Sequence, residues 1–338
     1  MIDVSMQDVA DSAGVSLSTV SRALADSERV KLETRQRIQQ LAQEMGYVPN
    51  AIARGLATNR TYTLGVVVRD IADPFIAELV RAIDKIVCAL GFTLLLINSD
   101  ANSQQELVAI KELRQKRVDG IIVPDMVTDD QTLPQLEQMG IPVVLINRKH
   151  YPFTVGTDNV AAARLGMNYL LALGHTRIAY IGNSALREDD ADRRMGYEQA
   201  LRQRDLMPDP ALIIHPQVSA PQSGTVGFDK LFTLDEPPTA IFCFDDMTAL
   251  GVISRANAAG VRIPEQISVM GFDDIALAPF FSPPLTTIAQ PKEEIARLAV
   301  EMTFNLLDQN ELPANRALAG KLVVRNSTAA PRQRDPSR

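Results

Sequence analysis

The chain of 338 residues holds two cysteines and three histidines, and their scarcity removes whole classes of chemistry. Cys88 and Cys243 each sit in an apolar run without a spaced partner, so neither a disulfide framework nor a cysteine-ligated zinc site can be built, and the usage fits a reducing cytoplasm. His150, His175 and His215 have no metal-ligand spacing and fall in no Ser/His/Asp signature. No metal, no cofactor and no enzymatic activity are therefore expected. A GxGxxG after the first apolar strand is lacking, as is any Gly-x-x-x-x-Gly-Lys loop, so the phosphate turns of nicotinamide enzymes and nucleotide hydrolases are missing. No stretch approaches the ~20 apolar residues of a membrane helix. Asp3, Asp8 and Asp11, with no long apolar core among them, give no expectation of a signal peptide.

What is there begins at once. Met6 to Leu24 reads MQDVADSAGVSLSTVSRAL, two short helices joined by a sharp turn. Val9, Ala10 and Ala13 form one apolar face, Gly14 suits the left-handed conformation that ends a helix, and Ser16 can cap the next. Val20 and Leu24 keep the second helix docked, which leaves Leu17, Ser18 and Arg22 on its outer side near the end that enters a major groove. An arginine there can pair bidentately with guanine O6 and N7. A third amphipathic helix is predicted over Thr34–Met45, and Gly46 stops it. Tyr47-Val48-Pro49-Asn50 follows, then a short helical stretch from Ala51 to Ala57 with Asn50 placed as its cap.

The formal net charge of −7 argues against nucleic acid only if it is taken as a total. Between Arg29 and Arg60, six cations stand against Glu33 and Glu44, a local excess of +4 beside the outward helix. Such a surface implies modest non-specific affinity, strong salt dependence and reliance on paired headpieces.

From Thr63 onward buried strands alternate with amphipathic helices, as a parallel sheet requires. One set of strands is expected at Leu64–Val68, Thr93–Ile97, Gly120–Val123 and Val143–Ile146. A second is expected at Ile178–Ile181, Leu212–Ile214, Ala240–Cys243 and Ser268–Gly271. The helices between them are expected near Pro74–Leu90, Ser103–Gln115, Thr132–Met139, Val160–Leu173, Arg194–Arg204, Ser223–Leu231 and Thr248–Ala259, with Ser103 and Glu106 as a capping box. At 46% hydrophobic, the chain can fill a small headpiece and two medium lobes. Two lobes in tandem imply a cleft, and ligands sit outside the carboxyl ends of parallel strands. Those ends are polar here: Asp70 and Asp73, Asp125, Asn147 and Arg148, Asp245 and Asp246, Asp273 and Asp274. Asp246 and Asp274 are read as helix caps.

The order of parts resembles the lactose/galactose repressor (LacI/GalR) family of bacterial transcription regulators. The resemblance rests on DVADSAGVS, STVSRAL, GYVPNAIARGL, LGHTRIAYIG, MGFDD and PPLTTIAQP, and spans Met6 to about Val324. It implies an α/β architecture: an all-α helix-turn-helix headpiece over residues 1–49, a hinge helix and linker over 50–61, and a two-lobed periplasmic-binding-protein-like domain over 62–338. Lobe one would take about 62–160 and 290–320, and lobe two about 161–289 and 321–328.

The resemblance also implies roles. Leu17, Ser18 and Arg22 would read the major groove of a pseudo-palindromic operator, with Thr19, Ser21, Tyr47 and Asn50 on phosphates. Ala53 and Leu56 would belong to the hinge, Leu56 as an apolar wedge in the minor groove. Asp73, Phe75, Asn147, Arg148, Arg193, Asp245 and Asp273 would hold a small effector, and His175 would pack at a strand entrance. Members often carry a large aromatic a few residues before the Ser-Gly that here is Ser223-Gly224; this chain has Val218-Ser219-Ala220-Pro221-Gln222 instead. A sugar is therefore favoured over a flat purine, and Arg148 leaves a sugar acid or phosphate open. Lys31 stands where relatives often place a Ser cap. A homodimer is expected. The polar tail from Thr328 has no heptad, so tetramers through it are not. A transport-type solute-binding protein is the rival architecture, and the headpiece argues against it.

Overall fold

The computed structural model describes residues 4–24, 26–47, 60–127, 133–183, 187–310 and 315–332. The chain forms two compact units, Met1–Thr61 and Tyr62–Arg338. Asn50, Ala53 and Leu56 lie outside the described residues.

The first unit is built from α1 (Met6–Ala13), α2 (Leu17–Leu24) and α3 (Leu32–Glu44). Ser5 and Asp8 form a reciprocal capping box at the start of α1, and Gly14 ends it at φ 65°. Ser16 Oγ accepts from Thr19 N at 3.2 Å, capping α2 as its position in the sequence implies. Lys31 precedes α3 with no side-chain cap. Val9, Ala10, Val20, Ala23, Val30, Ile38 and Ala42 close the core. Polar residues of α3 tie the bundle further: Arg37 donates to Ala13 O at 3.1 Å and Gln39 to Ala23 O at 3.1 Å. Both acceptors are last-turn carbonyls that a helix cannot satisfy internally.

The second unit contains two parallel α/β lobes. Lobe one is a six-stranded sheet in the order β11-β5-β4-β3-β1-β2, made of β1 (Thr63–Val68), β2 (Thr93–Asn98), β3 (Gly120–Pro124), β4 (Val143–Ile146), β5 (Thr154–Thr157) and β11 (Arg316–Leu318). Lobe two orders β7 (Ile213–Ile214), β6 (Ile178–Ile181), β8 (Ala240–Cys243) and β9 (Ser268–Met270). Runs such as VVLI and AIFC are buried throughout because helices cover both faces. The helices are α4 (Pro74–Ala89), α5 (Ser103–Gln115), α6 (Leu133–Glu137), α7 (Asn159–Ala172), α8 (Arg187–Arg202), α9 (Ala220–Leu231), α10 (Asp246–Ala258) and α11 (Lys292–Leu307). The chain crosses between lobes more than once: β10 (Thr287–Ala289) pairs antiparallel with β12 (Lys321–Val323), while α11 and β11 between them pack on lobe one.

Three local expectations are corrected. Helix α5 is capped by Asn102, whose side chain accepts from Gln104 N and Gln105 N, and Glu106 instead reaches Val127 N at 3.0 Å. Extended backbone at Asn102 puts Ser103 already inside the first turn, where its hydroxyl cannot act as the cap. Helix α8 starts at Arg187, not Arg194. Glu188, Asp189 and Asp190 in its first turn oppose the positive end of the helix dipole, so a charge run that reads as loop is helical. Asp246 and Asp274 are not caps: Asp245 caps α10, while Asp246 lies buried with Oδ2 accepting from Ile275 N at 2.9 Å and Oδ1 from Thr287 Oγ1 at 2.6 Å. Asp274 pairs with Arg325 at 2.7 Å.

Candidate functional site

On the headpiece, Leu17, Ser18, Ser21 and Arg22 are exposed on α2, opposite the buried Val20 and Ala23. Thr19 is half-buried. The hydroxyls of Ser16, Ser18 and Thr19 form one cluster, with Ser16 Oγ 2.9 Å from Ser18 Oγ and 2.8 Å from Thr19 Oγ1, so the N-terminal end of α2 presents an ordered hydroxyl surface beside a free apolar side chain and a guanidinium. Tyr47 packs against the headpiece core, its N–H returning to Ala42 O at 2.9 Å past Gly46 at φ 70°.

In the second unit the strand ends converge. Asn147, held at φ 57°, follows β4; its Nδ2 donates to Asp125 at 3.0 Å and its Oδ1 accepts from Thr157 N at 3.1 Å. A Cβ on Gly156 would stand 2.3 Å from that Oδ1, so the approach requires glycine. Asp73 caps α4 through Phe75 N at 3.0 Å and pairs with Arg69. From lobe two comes Arg193, 3% exposed in its side chain. Its Nε donates to Asn159 Oδ1 at 2.9 Å, Nη1 to Phe244 O at 2.5 Å, and Nη2 lies 3.7 Å from Asp273. The guanidinium is held between the rings of Phe244 and Phe272, at 4.2 and 3.8 Å from their centroids. Asp273 sits at φ 115°, a conformation costly for any residue but glycine, and takes Gln290 Nε2 at 2.6 Å.

These residues form one electrostatic unit. Burial pushes Asp73 up to about 6, with Arg69 pulling the other way. It raises Asp125 and lifts Asp273 well above the usual carboxylate range. Asp189 on α8 goes up to about 8, first by burial and then by the charge of Asp125. Burial would lower Arg69, but Asp73, Asp125 and Asp245 outweigh it and leave the guanidinium more firmly charged. A cavity of about 510 Å³ is lined among others by Asn147, Arg148, Thr157, Asn159, Asp189 and Asp192, while Asp73, Asp125, Arg193, Asp245 and Asp273 are not among its lining residues. Its volume is that of a small-molecule site.

The lobes are clasped on either side. Glu78 on α4 accepts from Ala276 N at 2.7 Å and from Lys292 Nζ at 2.7 Å, and Lys292 also donates to the carbonyls of Asp273 and Asp274. Elsewhere Lys149 Nζ meets Asp192 at 2.5 Å and Lys149 N donates to Glu188 at 3.0 Å.

The structure brings Asp73, Asn147, Arg193, Asp245 and Asp273 into this cluster. Two sequence-predicted members behave otherwise. Phe75 is 3% exposed and belongs to the core under α4, so it offers no open ring face. Arg148 lines the cavity but is already engaged, donating to Met126 O at 3.3 Å and lying 3.8 Å from Glu188. Sequence reasoning missed Arg69, Asp189, Asn159, Thr157 and Gln290. Only Asp189 carried a signal, its spacing of four from Arg193 on one helix face. His175 is buried, with Nδ1 2.9 Å from Thr239 Oγ1 and Nε2 2.8 Å from Ala329 O, and stitches the C-terminal segment to lobe two.

A three-helix headpiece with an exposed second helix, joined to two parallel lobes around a polar junction, has the architecture of a DNA-binding regulator. Residues 5–50 match the bacterial regulatory proteins of the lacI family, and residues 167–328 match the periplasmic binding protein-like domain. The chain is 36% identical over 331 residues to the HTH-type transcriptional repressor CytR of Escherichia coli (strain K12), covering 96% of each. Among solved structures it resembles the lac repressor dimer bound to operator and the anti-inducer ONPF, with a TM-score of 0.87 at 27% identity over 97% of this chain and 100% of that one. It also resembles the transcriptional regulator CelR–cellobiose complex, with a TM-score of 0.72 at 28% identity over 96% and 99%. The chain belongs to the lacI family of bacterial regulatory proteins. It is a DNA-binding transcriptional regulator, and its relatives are regulators rather than enzymes.

Proposed function

We propose that this protein is an operator-binding repressor of a carbohydrate-utilisation operon, working in the cytoplasm as a homodimer whose hold on DNA is set by a small polyhydroxylated effector between the lobes. The observation that carries the reading is the pairing of an outward Leu17, Ser18 and Arg22 on α2 with a buried junction of carboxylates, amides and guanidinium groups, the equipment that binds vicinal hydroxyls. Leu17, Ser18 and Arg22 read the major groove, while Thr19, Ser21, Tyr47 and Asn50 contact phosphates. Ala53 and Leu56 belong to the hinge by resemblance to the family, Leu56 as the minor-groove wedge. Asp73, Asn147, Arg193, Asp245 and Asp273 hold the effector, Arg148 meets it from the cavity lining, and Phe75 supports from the core behind.

A helix-turn-helix unit reads one half-site, so a two-fold operator calls for two copies. The effector acts through its difference in affinity for the two arrangements of the lobes. The test starts from a duplex selected by the purified full chain out of a random pool. Arg22→Ala is expected to cost about 1–3 kcal/mol on that duplex and to relax preference at one base position. Unchanged affinity and unchanged preference would remove Arg22 from the reading surface.

A further inference from the structure

We infer that the cleft between α5 and α6 on lobe one is a docking groove for an acidic helical segment of a partner protein, independent of the effector reading above. The cleft, about 560 Å³, is lined by Lys111, Arg114 and Gln115 on α5 and by Gln135, Gln138 and Met139 at α6. It shares none of these residues with the cavity at the lobe junction. Its five polar side chains are exposed, and none makes a hydrogen bond or ion pair with another described residue. The carboxylates nearest in sequence, Glu112 and Glu137, do not line it. Glu137 acts instead on Tyr151, whose phenol is pushed up by burial and then by that charge. A chain with 41 acidic residues against 34 basic thus carries a cleft whose only charges are positive.

The geometry selects among anions. Arg114 and Gln115 close the last turn of α5, Lys111 stands one turn earlier, and Gln138 and Met139 follow the end of α6. At such ends the outermost carbonyls are unpaired and the helix dipole is negative, which disfavours a small anion seated against the backbone. What the cleft offers is charge on long side-chain arms over an apolar floor. Met139 is 6% exposed and packs with Leu113 and Leu136 in the core of this face of lobe one. Half-buried Leu107 continues the stripe one turn back, so that Leu107, Lys111 and Arg114 recur at spacings of four and three on one side of α5. A second helix laid along that stripe sets carboxylates at i and i+4 against Lys111 and Arg114, and its own apolar face against Met139 and Leu107. The Met139 thioether adapts its shape to what it meets, and the three carboxamides serve either donors or acceptors on the flanks. A nucleic-acid backbone would bring the charge without the apolar face.

The experiment uses full-length protein labelled at its methionine methyls, with the Met139 resonance identified through Met139→Leu. Four probes are titrated at low salt: a stapled helical peptide of about 15 residues carrying Glu at i and i+4 beside a leucine stripe, the same peptide with Lys for Glu, pyrophosphate, and a short DNA duplex without an operator. The acidic peptide is expected to shift Met139 saturably and to bind at least about tenfold more tightly than its lysine form, with the difference shrinking as salt rises. Lys111→Glu with Arg114→Glu should weaken that binding by at least about tenfold. Its melting should match wild type, because both side chains are exposed and unpaired. The milder Lys111→Gln should give a smaller loss in the same direction. An acidic peptide that leaves Met139 unmoved, or binds no better than its lysine form, overturns the inference. So does affinity kept in full by the double variant. Saturation of the Met139 shift by pyrophosphate at a lower concentration than by the acidic peptide would make the cleft a small-anion site, and by the duplex a nucleic-acid contact; either result also overturns it.

Discussion

Asp73 and Asp189 are carboxylates held where water is scarce, and the consequence can be measured without knowing the ligand. Each takes its proton more readily folded than unfolded: Asp73 rises from 3.8 to about 6 and Asp189 from 3.8 to about 8. Between those values the folded state binds more protons than the unfolded chain, so stability falls as pH rises through the window. For Asp189 the loss begins near pH 4 and is complete just above 8. Asp189→Asn removes the titration while keeping an oxygen that can accept from Asn159. The variant is expected to match wild type at pH 4 and to become progressively more stable than it up to pH 8, by about 2–4 °C in melting midpoint per kcal/mol recovered. Parallel melting curves for the two proteins across pH 4 to 8 would show that Asp189 is not held neutral by its surroundings. Arg193 is the opposite case. Held by two rings, a carbonyl and Asn159, it is already preorganised, so Arg193→Lys keeps the charge but loses the fork that reaches Asn159 and Phe244 together.

Elements were legible to the degree that one local signal governed them. The parallel strands and most helices of both lobes stand in the sequence as continuous apolar runs and 3.6-residue stripes, because burial on both faces or on one face leaves those marks. The turn of the headpiece was legible because Gly14 and Ser16 have few other uses in that order. What escaped depended on tertiary context. The short strands β5 and β11 are too brief to show periodicity, and Thr154–Thr157 becomes a strand only because β4 and β11 flank it. The start of helix α8, before Arg194, escaped because its first turns are acidic rather than apolar, and with it went Asp189. Phe75 was misread for a related reason: sequence places it beside a site residue, while only packing decides which way the ring turns.

The capping of α5 offers a direct test at this scale. Asn102→Ala is expected to cost about 0.5–2 kcal/mol, whereas Ser103→Ala should be nearly neutral. Equal losses in urea unfolding would restore the capping box. Lys31→Ser should stabilise the headpiece by about 1 kcal/mol, since α3 starts with no side-chain acceptor. Slower amide exchange in its first turn is the readout.

Across the second unit, the two clasps matter more than any single site residue. Glu78 belongs to lobe one yet binds the backbone of lobe two at Ala276, and Lys292 leaves Glu78 to reach the carbonyls of Asp273 and Asp274. The same segment carries Asp273, bonded through Gln290 to Thr157 of lobe one at 2.6 Å. A ligand pulling on Asp273 therefore pulls on the clasp, and opening the clasp loosens the site. A mutation that favours the open arrangement should lower apparent ligand affinity by the fraction of molecules left competent. Glu78→Ala leaves Ala276 N–H without its acceptor and the Lys292 ammonium with carbonyls alone, a loss on the scale of a charge-assisted hydrogen bond, about 1.5–3 kcal/mol. Hydrogen exchange is then expected to speed up about tenfold or more over residues 273–276, and to spread to 187–193 because the second clasp, at Lys149 and Asp192, has to bear the opening alone. Lys149→Ala should act on the same two segments in the reverse order of magnitude. If Glu78→Ala accelerates exchange only at Ala276 and leaves 187–193 at the wild-type rate, the clasps are independent local contacts and the lobes do not move as coupled bodies.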